Sequence, residues 1–218
     1  MKLVIMNGLC VIFDLDGTLV DSEALCNQAF LDLLPQLNET VNVLMLRYRG
    51  KKLAAILTDI EIRLGRKLPE TFEQHYRQRV SELFRCELKP MPGVIEMLEA
   101  LHVPKCIASS GPMPKIRQSL EISGLAPYFG DNLFSSYEVG SWKPEPGLFQ
   151  YAAKSMGFMP DQCVVIEDSE VGVEAAAAAG MRAFRYLHKG EYASYGGESI
   201  ELFDDMLLLP KLLADFAQ

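Results

Sequence analysis

With 218 residues, the chain is long enough for one ordinary domain and a smaller companion. It can bury about 70% of its unfolded surface without help from a disulfide or structural metal. A formal charge of −8 with no Lys/Arg run excludes a nucleic-acid backbone as partner. No stretch approaches the ~18 uninterrupted apolar residues of a membrane span. The apolar start resembles a secretory signal, but Asn7-Gly8 and then Asp14 and Asp16 cut it. The five cysteines (Cys10, Cys26, Cys86, Cys106, Cys163) form no C-x-x-C or Cys/His cluster. They read as buried free thiols in a reducing, cytoplasmic compartment rather than as a zinc site.

Taken in chain order, the first element is a strand over residues 9–15, an apolar run ending in Asp14-Leu15-Asp16-Gly17-Thr18. From 21 to 89 no strand pattern occurs. Leu, Glu, Gln and Arg recur at helical spacing, interrupted at Pro35, Gly50, Gly65 and Pro69, which predicts an insertion of three or four helices. Pro90-Met91-Pro92-Gly93 is a stiff return to the core. Further strand-length runs follow at Lys105–Ser109, 132–136, Cys163–Glu167 and 182–187. Helices are expected over Met113–Ser123, 145–156 and 169–179, the last closed by Gly180. Alternating strands and helices with near-continuous apolar strands imply a Rossmann-like α/β core: a parallel sheet covered on both faces. The core would comprise residues 1–20 and 90–218, and the small helical domain residues 21–89.

In such a sheet ligands bind beyond the carboxyl ends of the strands. The residues expected there are Asp14, Asp16, Ser109, Glu167 and Asp168, with Lys143 on a nearby loop. Gly17 lets the chain turn at once, so both aspartates can face one site. A carboxylate is ionised at neutral pH and can attack phosphorus directly. Asp14 is the candidate nucleophile. Crowding raises the pKa of one member of such a pair, making Asp16 the candidate acid and base. Lys143 supplies fixed positive charge. Ser109 and Ser110, leading into a helix, offer a hydroxyl and backbone N–H groups to phosphate oxygens. Asp14, Asp16, Glu167 and Asp168 together suit a hard divalent cation, Mg2+ beside phosphate.

Other motifs fail on inspection. An EF-hand wants Gly sixth and Glu twelfth from Asp14, but Gly17 comes fourth and Leu25 stands twelfth. Gly50-Lys51 lacks the earlier glycine of a P-loop, and Ser110 lacks the preceding glycine of a nucleophile elbow. The three histidines form no metal motif and receive no role.

DLDGT, the run ending in Ser109, WKPEP around Lys143 and IEDS at Glu167-Asp168 occur in order. In this the sequence resembles the haloacid dehalogenase superfamily, in the subgroup whose helical cap follows the first strand. The resemblance implies an aspartyl-phosphate intermediate on Asp14 and hydrolysis of a small phosphate ester by a monomer or weak homo-oligomer. Asp16 argues for phosphate esters over haloacids or phosphonates. Sugar phosphomutases of the β-phosphoglucomutase type place a His where this chain has Cys26, so hydrolysis is favoured over the mutase reaction. Within the family the sequence is similar to sugar-phosphate phosphatases, particularly the 6-phosphogluconate type. The resemblance also directs attention to the cap for specificity. The turn Arg49-Gly50-Lys51-Lys52 could capture a second anionic group, and Glu23 could face sugar hydroxyls. A non-enzymatic phospho-Asp signalling module uses similar residues, but it has its acidic pair first and its phosphorylated Asp mid-chain, the reverse of the order here.

Overall fold

The computed structural model describes residues 8–188 and 200–216, so the apolar start at residues 1–7 lies outside the described residues. The chain divides into two compact units, Asp21–Lys89 and the remainder, Met1–Val20 with Pro90–Gln218. In chain order the elements are β1 (Cys10–Phe13), α1 (Glu23–Leu33), α2 (Val41–Tyr48), α3 (Leu53–Leu64), α4 (Phe72–Glu87), α5 (Val94–Ala100), β2 (Lys105–Ser109), α6 (Met113–Ser123), α7 (Ala126–Phe129), β3 (Leu133–Ser135), α8 (Ser136–Val139), α9 (Gly147–Met156), β4 (Cys163–Glu167), α10 (Glu170–Ala178), β5 (Arg182–Tyr186), β6 (Ile200–Phe203) and α11 (Leu209–Phe216).

The larger unit is an α/β fold built on one parallel sheet of order β3-β2-β1-β4-β5-β6. All four residues of β1 are buried, as are all five of β4, because both strands are covered on two faces. The chain steps outward from β1 to β3, returns to β4 on the other side of β1, and then steps outward again. The topological switch therefore lies between β1 and β4, where the register pairs Phe13 with Ile166. Asp14, Glu167 and Asp168 leave the sheet side by side as a result. Cys10, Ile12, Cys106, Phe149, Ala152 and Val165 belong to one apolar core on the sheet.

The smaller unit is helical throughout, consisting of α1 to α4 and a 3-10 turn at Pro35–Leu37. Its core stacks Phe30 on Tyr76, with ring centroids 4.1 Å apart, and sets Tyr48 edge-on to Phe30. Asp59 draws in Arg47 by a two-point ion pair and accepts the Tyr48 hydroxyl at 2.8 Å. Gly50 and Gly65, after α2 and α3, adopt φ of +70° and +64°. The chain leaves the larger unit at Val20 and re-enters it at Pro90, and these two residues form an antiparallel bridge. The next pair outward, Asp21 and Lys89, is hydrogen-bonded N–H to O at 3.0 Å.

The structure adds or corrects several points. β6, α5 and α11 were not expected, although α5 and α11 bury apolar residues at helical spacing, Val94, Met97 and Leu98 in one and Leu209 and Leu213 in the other. The helix expected over 145–156 begins at Gly147, because Pro146 occupies the N-cap position. Ala179 is the C-cap of α10, and Gly180 follows it at φ +76°. Of the five thiols, Cys10, Cys106 and Cys163 are buried, Cys26 is partly buried, and Cys86 is exposed on the outer side of α4. No helix among the described residues is long and apolar enough to cross a membrane.

Candidate active site

The site forms where β1 and β4 end. The Asp14 N–H donates to the Ile166 carbonyl at 2.9 Å, which extends the sheet pairing one residue past β1. The chain then turns at Gly17 with φ +87°, a conformation that a side chain rarely tolerates. A Cβ there would also stand 2.6 Å from Asp168 Oδ2, so glycine is required on steric grounds as well. Gly172, in the first turn of α10, meets the same kind of limit. A Cβ on it would overlap the carboxylate of Glu167.

Lys143, only 6% exposed, is buried between two carboxylates. Its Nζ donates to Asp14 Oδ1 and to Glu167 Oε1, both at 2.5 Å. The ammonium also lies 5.0 Å from the centre of the Phe149 ring, whose face favours a cation. Burial works against the charge on Lys143, but Asp14 and Glu167 outweigh it and hold the group above the ordinary lysine range. For Asp14 burial dominates and pushes the carboxyl well above the usual carboxylate range. Lys143 opposes that rise, while Glu167 and Asp168 reinforce it. The other Glu167 oxygen accepts the N–H and hydroxyl of Ser169, each at 2.8 Å.

Asp14, Glu167 and Asp168 each offer an oxygen within 4.8 Å of the other two, and all three are buried. Three carboxylates against one ammonium leave an excess of negative charge in a dry place. Oxygen donors of this kind suit a hard divalent cation. Asp168 is anchored from several directions: the Thr18 hydroxyl at 3.3 Å, His188 Nε2 at 3.3 Å, and the buried Arg185 Nε, which reaches the Asp168 carbonyl at 3.1 Å.

The structure does not bring every expected group to this point. The Asp16 carboxylate lies outside the triad, and its Oδ1 accepts from Lys115 Nζ at 2.7 Å. Ser109 is buried at the end of β2, but Ser110 is exposed. The loop offers fewer N–H groups than expected: that of Gly111 is taken by Ser109 Oγ at 3.0 Å, and Pro112 and Pro114 have none. Glu23 and the turn Arg49-Gly50-Lys51-Lys52 belong to the helical unit. There Arg49 holds Glu23 at 3.0 Å, while Lys51 and Lys52 are exposed. Thr18 lies within the DLDGT run but was given no role there. Lys115, Arg185 and His188 lie outside the short motifs, and only the fold brings them to the strand ends.

The haloacid dehalogenase-like hydrolase family model matches residues 9–180, which include the ends of β1, β2 and β4 and the loop that carries Lys143. The chain belongs to the haloacid dehalogenase-like hydrolases. It is 33% identical over 205 residues to 6-phosphogluconate phosphatase of Escherichia coli (strain K12), with 93% of each chain covered. Its fold matches a haloacid dehalogenase-like protein of unknown function from Agrobacterium tumefaciens str. C58, with a TM-score of 0.81 and 30% identity over 96% of this chain and 99% of that one. It also matches a putative β-phosphoglucomutase from Thermotoga maritima, with a TM-score of 0.74 and 26% identity over 95% and 99% of the two chains. Asp14 and Asp16 of this dehalogenase-like hydrolase follow directly on β1.

Proposed function

We propose that this hydrolase is a Mg2+-dependent phosphatase acting on a small phosphorylated carbohydrate, with 6-phosphogluconate the first candidate. The observation that carries the reading is the buried pairing of Asp14 with Lys143 beside Glu167 and Asp168, at the switch point of the sheet. Asp14 and Asp168 would hold the ion. Glu167 is already engaged by Lys143 and Ser169, so it sets the position of the lysine. When bound, Mg2+ neutralises phosphate charge, so that an anion can approach a carboxylate.

Asp14 attacks phosphorus, the bond from phosphorus to the ester oxygen breaks, and Asp16 gives its proton to that oxygen. Asp16 then takes a proton from a water molecule, which attacks the aspartyl phosphate. The bond from phosphorus to Asp14 breaks, and both carboxyl groups return to their starting states. Lys143 keeps its proton throughout and offsets charge on the transferring group. The Ser109 hydroxyl donates to a phosphate oxygen. We assign substrate reading to the helical unit, through Glu23 and its ion-pair partner Arg49 and through the turn that runs on to Lys52. Cys26, at the place of the mutase histidine, favours water over a sugar as acceptor.

The test is phosphate release from p-nitrophenyl phosphate and 6-phosphogluconate, with Mg2+ and with excess EDTA. Turnover that survives EDTA refutes the metal, and a trapped phosphoenzyme in Asp14→Asn refutes the nucleophile. Turnover of p-nitrophenyl phosphate but of no sugar phosphate refutes the substrate class alone.

A further inference from the structure

Lys115 lies outside the four motifs, yet its Nζ stands 2.7 Å from Asp16 Oδ1. It is the third residue of α6, and long helical side chains lean back over the turn before them. Its stem therefore crosses the loop at Gly111. A Cβ built on Gly111 would stand 3.4 Å from Ser109 Oγ, 3.6 Å from Lys115 Cδ and 3.8 Å from Asp16 Oδ2, so one glycine lies beneath all three groups. The platform is tied down as well. Ser135 Oγ donates to the Gly111 carbonyl at 2.6 Å, and the Gly111 N–H donates to Ser109 Oγ.

A cation in the first turn works against the helix dipole, so helix stability does not account for a lysine here. The pair is also set apart from the buried one. The Lys115 and Asp16 side chains are 23% and 25% exposed, against 4% and 10% for Lys143 and Asp14. The Lys115 pair is thus the more solvent-exposed of the two.

We propose that Lys115 is a positioning residue for proton transfer: it aims the Asp16 carboxyl at the leaving oxygen and meets the charge that appears on Asp16 as its proton departs. The inference rests on the roles given to Asp14 and Asp16 above. In the first step the proton passes from Asp16 to the ester oxygen as the phosphorus–oxygen bond breaks, and Asp16 is left as a carboxylate facing Lys115. In the second step that carboxylate takes a proton from water. A charge-assisted contact that strengthens along the first step lowers its barrier selectively.

The need for an acid grows with the basicity of the leaving oxygen, which supplies a readout that loss of structure does not move. The full chain with Mg2+ is compared as wild type, Lys115→Met, Lys115→Arg and Asp16→Ala, on p-nitrophenyl phosphate, phenyl phosphate and 6-phosphogluconate. Expected is a fall in kcat/KM, which reports the step that expels the leaving oxygen, for Lys115→Met about 10-fold larger on phenyl than on p-nitrophenyl phosphate, in the same direction as Asp16→Ala. KM should change little, and Lys115→Arg should recover most of the loss. An equal fall on both aryl esters overturns the inference in favour of a structural role. A raised KM for 6-phosphogluconate with unchanged kcat overturns it in favour of substrate reading. A steep leaving-group response for Asp16→Ala with a flat one for Lys115→Met refutes Lys115 alone. No turnover by the wild type refutes the phosphatase reading and the inference with it.

Discussion

Gly172→Ala is the substitution for which helix rules and site geometry disagree in sign. Gly172 sits in the first turn of α10 with ordinary helical backbone, and alanine there should gain the helix up to about 1 kcal/mol. The new Cβ, however, would occupy the space of the Glu167 carboxylate, which is only 1% exposed and has little room to retreat. Forcing extra volume into packed structure costs about 1–3 kcal/mol. Displacing Glu167 also breaks one arm of its buried contact with Lys143, and separating such pairs costs about 3–5 kcal/mol when it is complete. With partial relaxation, the net loss is about 3 kcal/mol. For a chain of this size that lowers Tm by roughly 6–12 °C. A Lys143 shift of about 1 Å would cut kcat by about 10²-fold. Thermal unfolding by circular dichroism and phosphate release are the two measurements. A variant as stable as wild type and fully active would refute the claim that Gly172 exists to admit Glu167.

Two other predictions follow the same logic in different places. Gly17→Ala combines a strained φ of +87° with a Cβ 2.6 Å from Asp168 Oδ2, so it should weaken Mg2+ binding and reduce phosphate release together. Titration of activity against Mg2+ checks this, and an unchanged midpoint would refute it. In the helical unit, Arg47 holds the Asp59 carboxyl down at about 2, below its usual 3.8. A depressed carboxyl pKa contributes stability above its unfolded value and loses that contribution as pH falls toward the folded one. Asp59→Asn should therefore melt earlier than wild type at pH 7, with the gap closing between about pH 4 and pH 2. A gap that persists unchanged at pH 2 would show that the carboxylate charge is not the cause.

Much of the site was legible because its residues terminate strands. Asp14, Ser109, Glu167 and Asp168 each follow an apolar run, and the sheet order then brings Asp14 beside Asp168. Lys143 was legible only from its motif, since the loop that carries it has no periodicity. Lys115 and His188 were not legible. Each is an ordinary polar residue at the edge of an element, and its partner lies far away in sequence. The placement of Asp16 shows the same limit: proximity to Asp14 suggested a shared cation, but Lys115 draws its carboxylate elsewhere. β6 was missed because its four residues, Ile200–Phe203, include only one buried side chain, too little apolar pattern to mark a strand.

The bridge between Val20 and Pro90 has a consequence for how such a chain can change over time. An unstructured loop of roughly 70 residues would cost about 4 kcal/mol of entropy to close. Here the inserted segment is folded, and its two ends, Asp21 and Lys89, are hydrogen-bonded to each other. The sheet thus sees a short, tight connection whatever helices lie beyond it. A different insert with equally close ends could be spliced in without disturbing the strand that bears Asp14. The catalytic frame and the segment outside it are therefore exchangeable parts, free to diversify at separate rates.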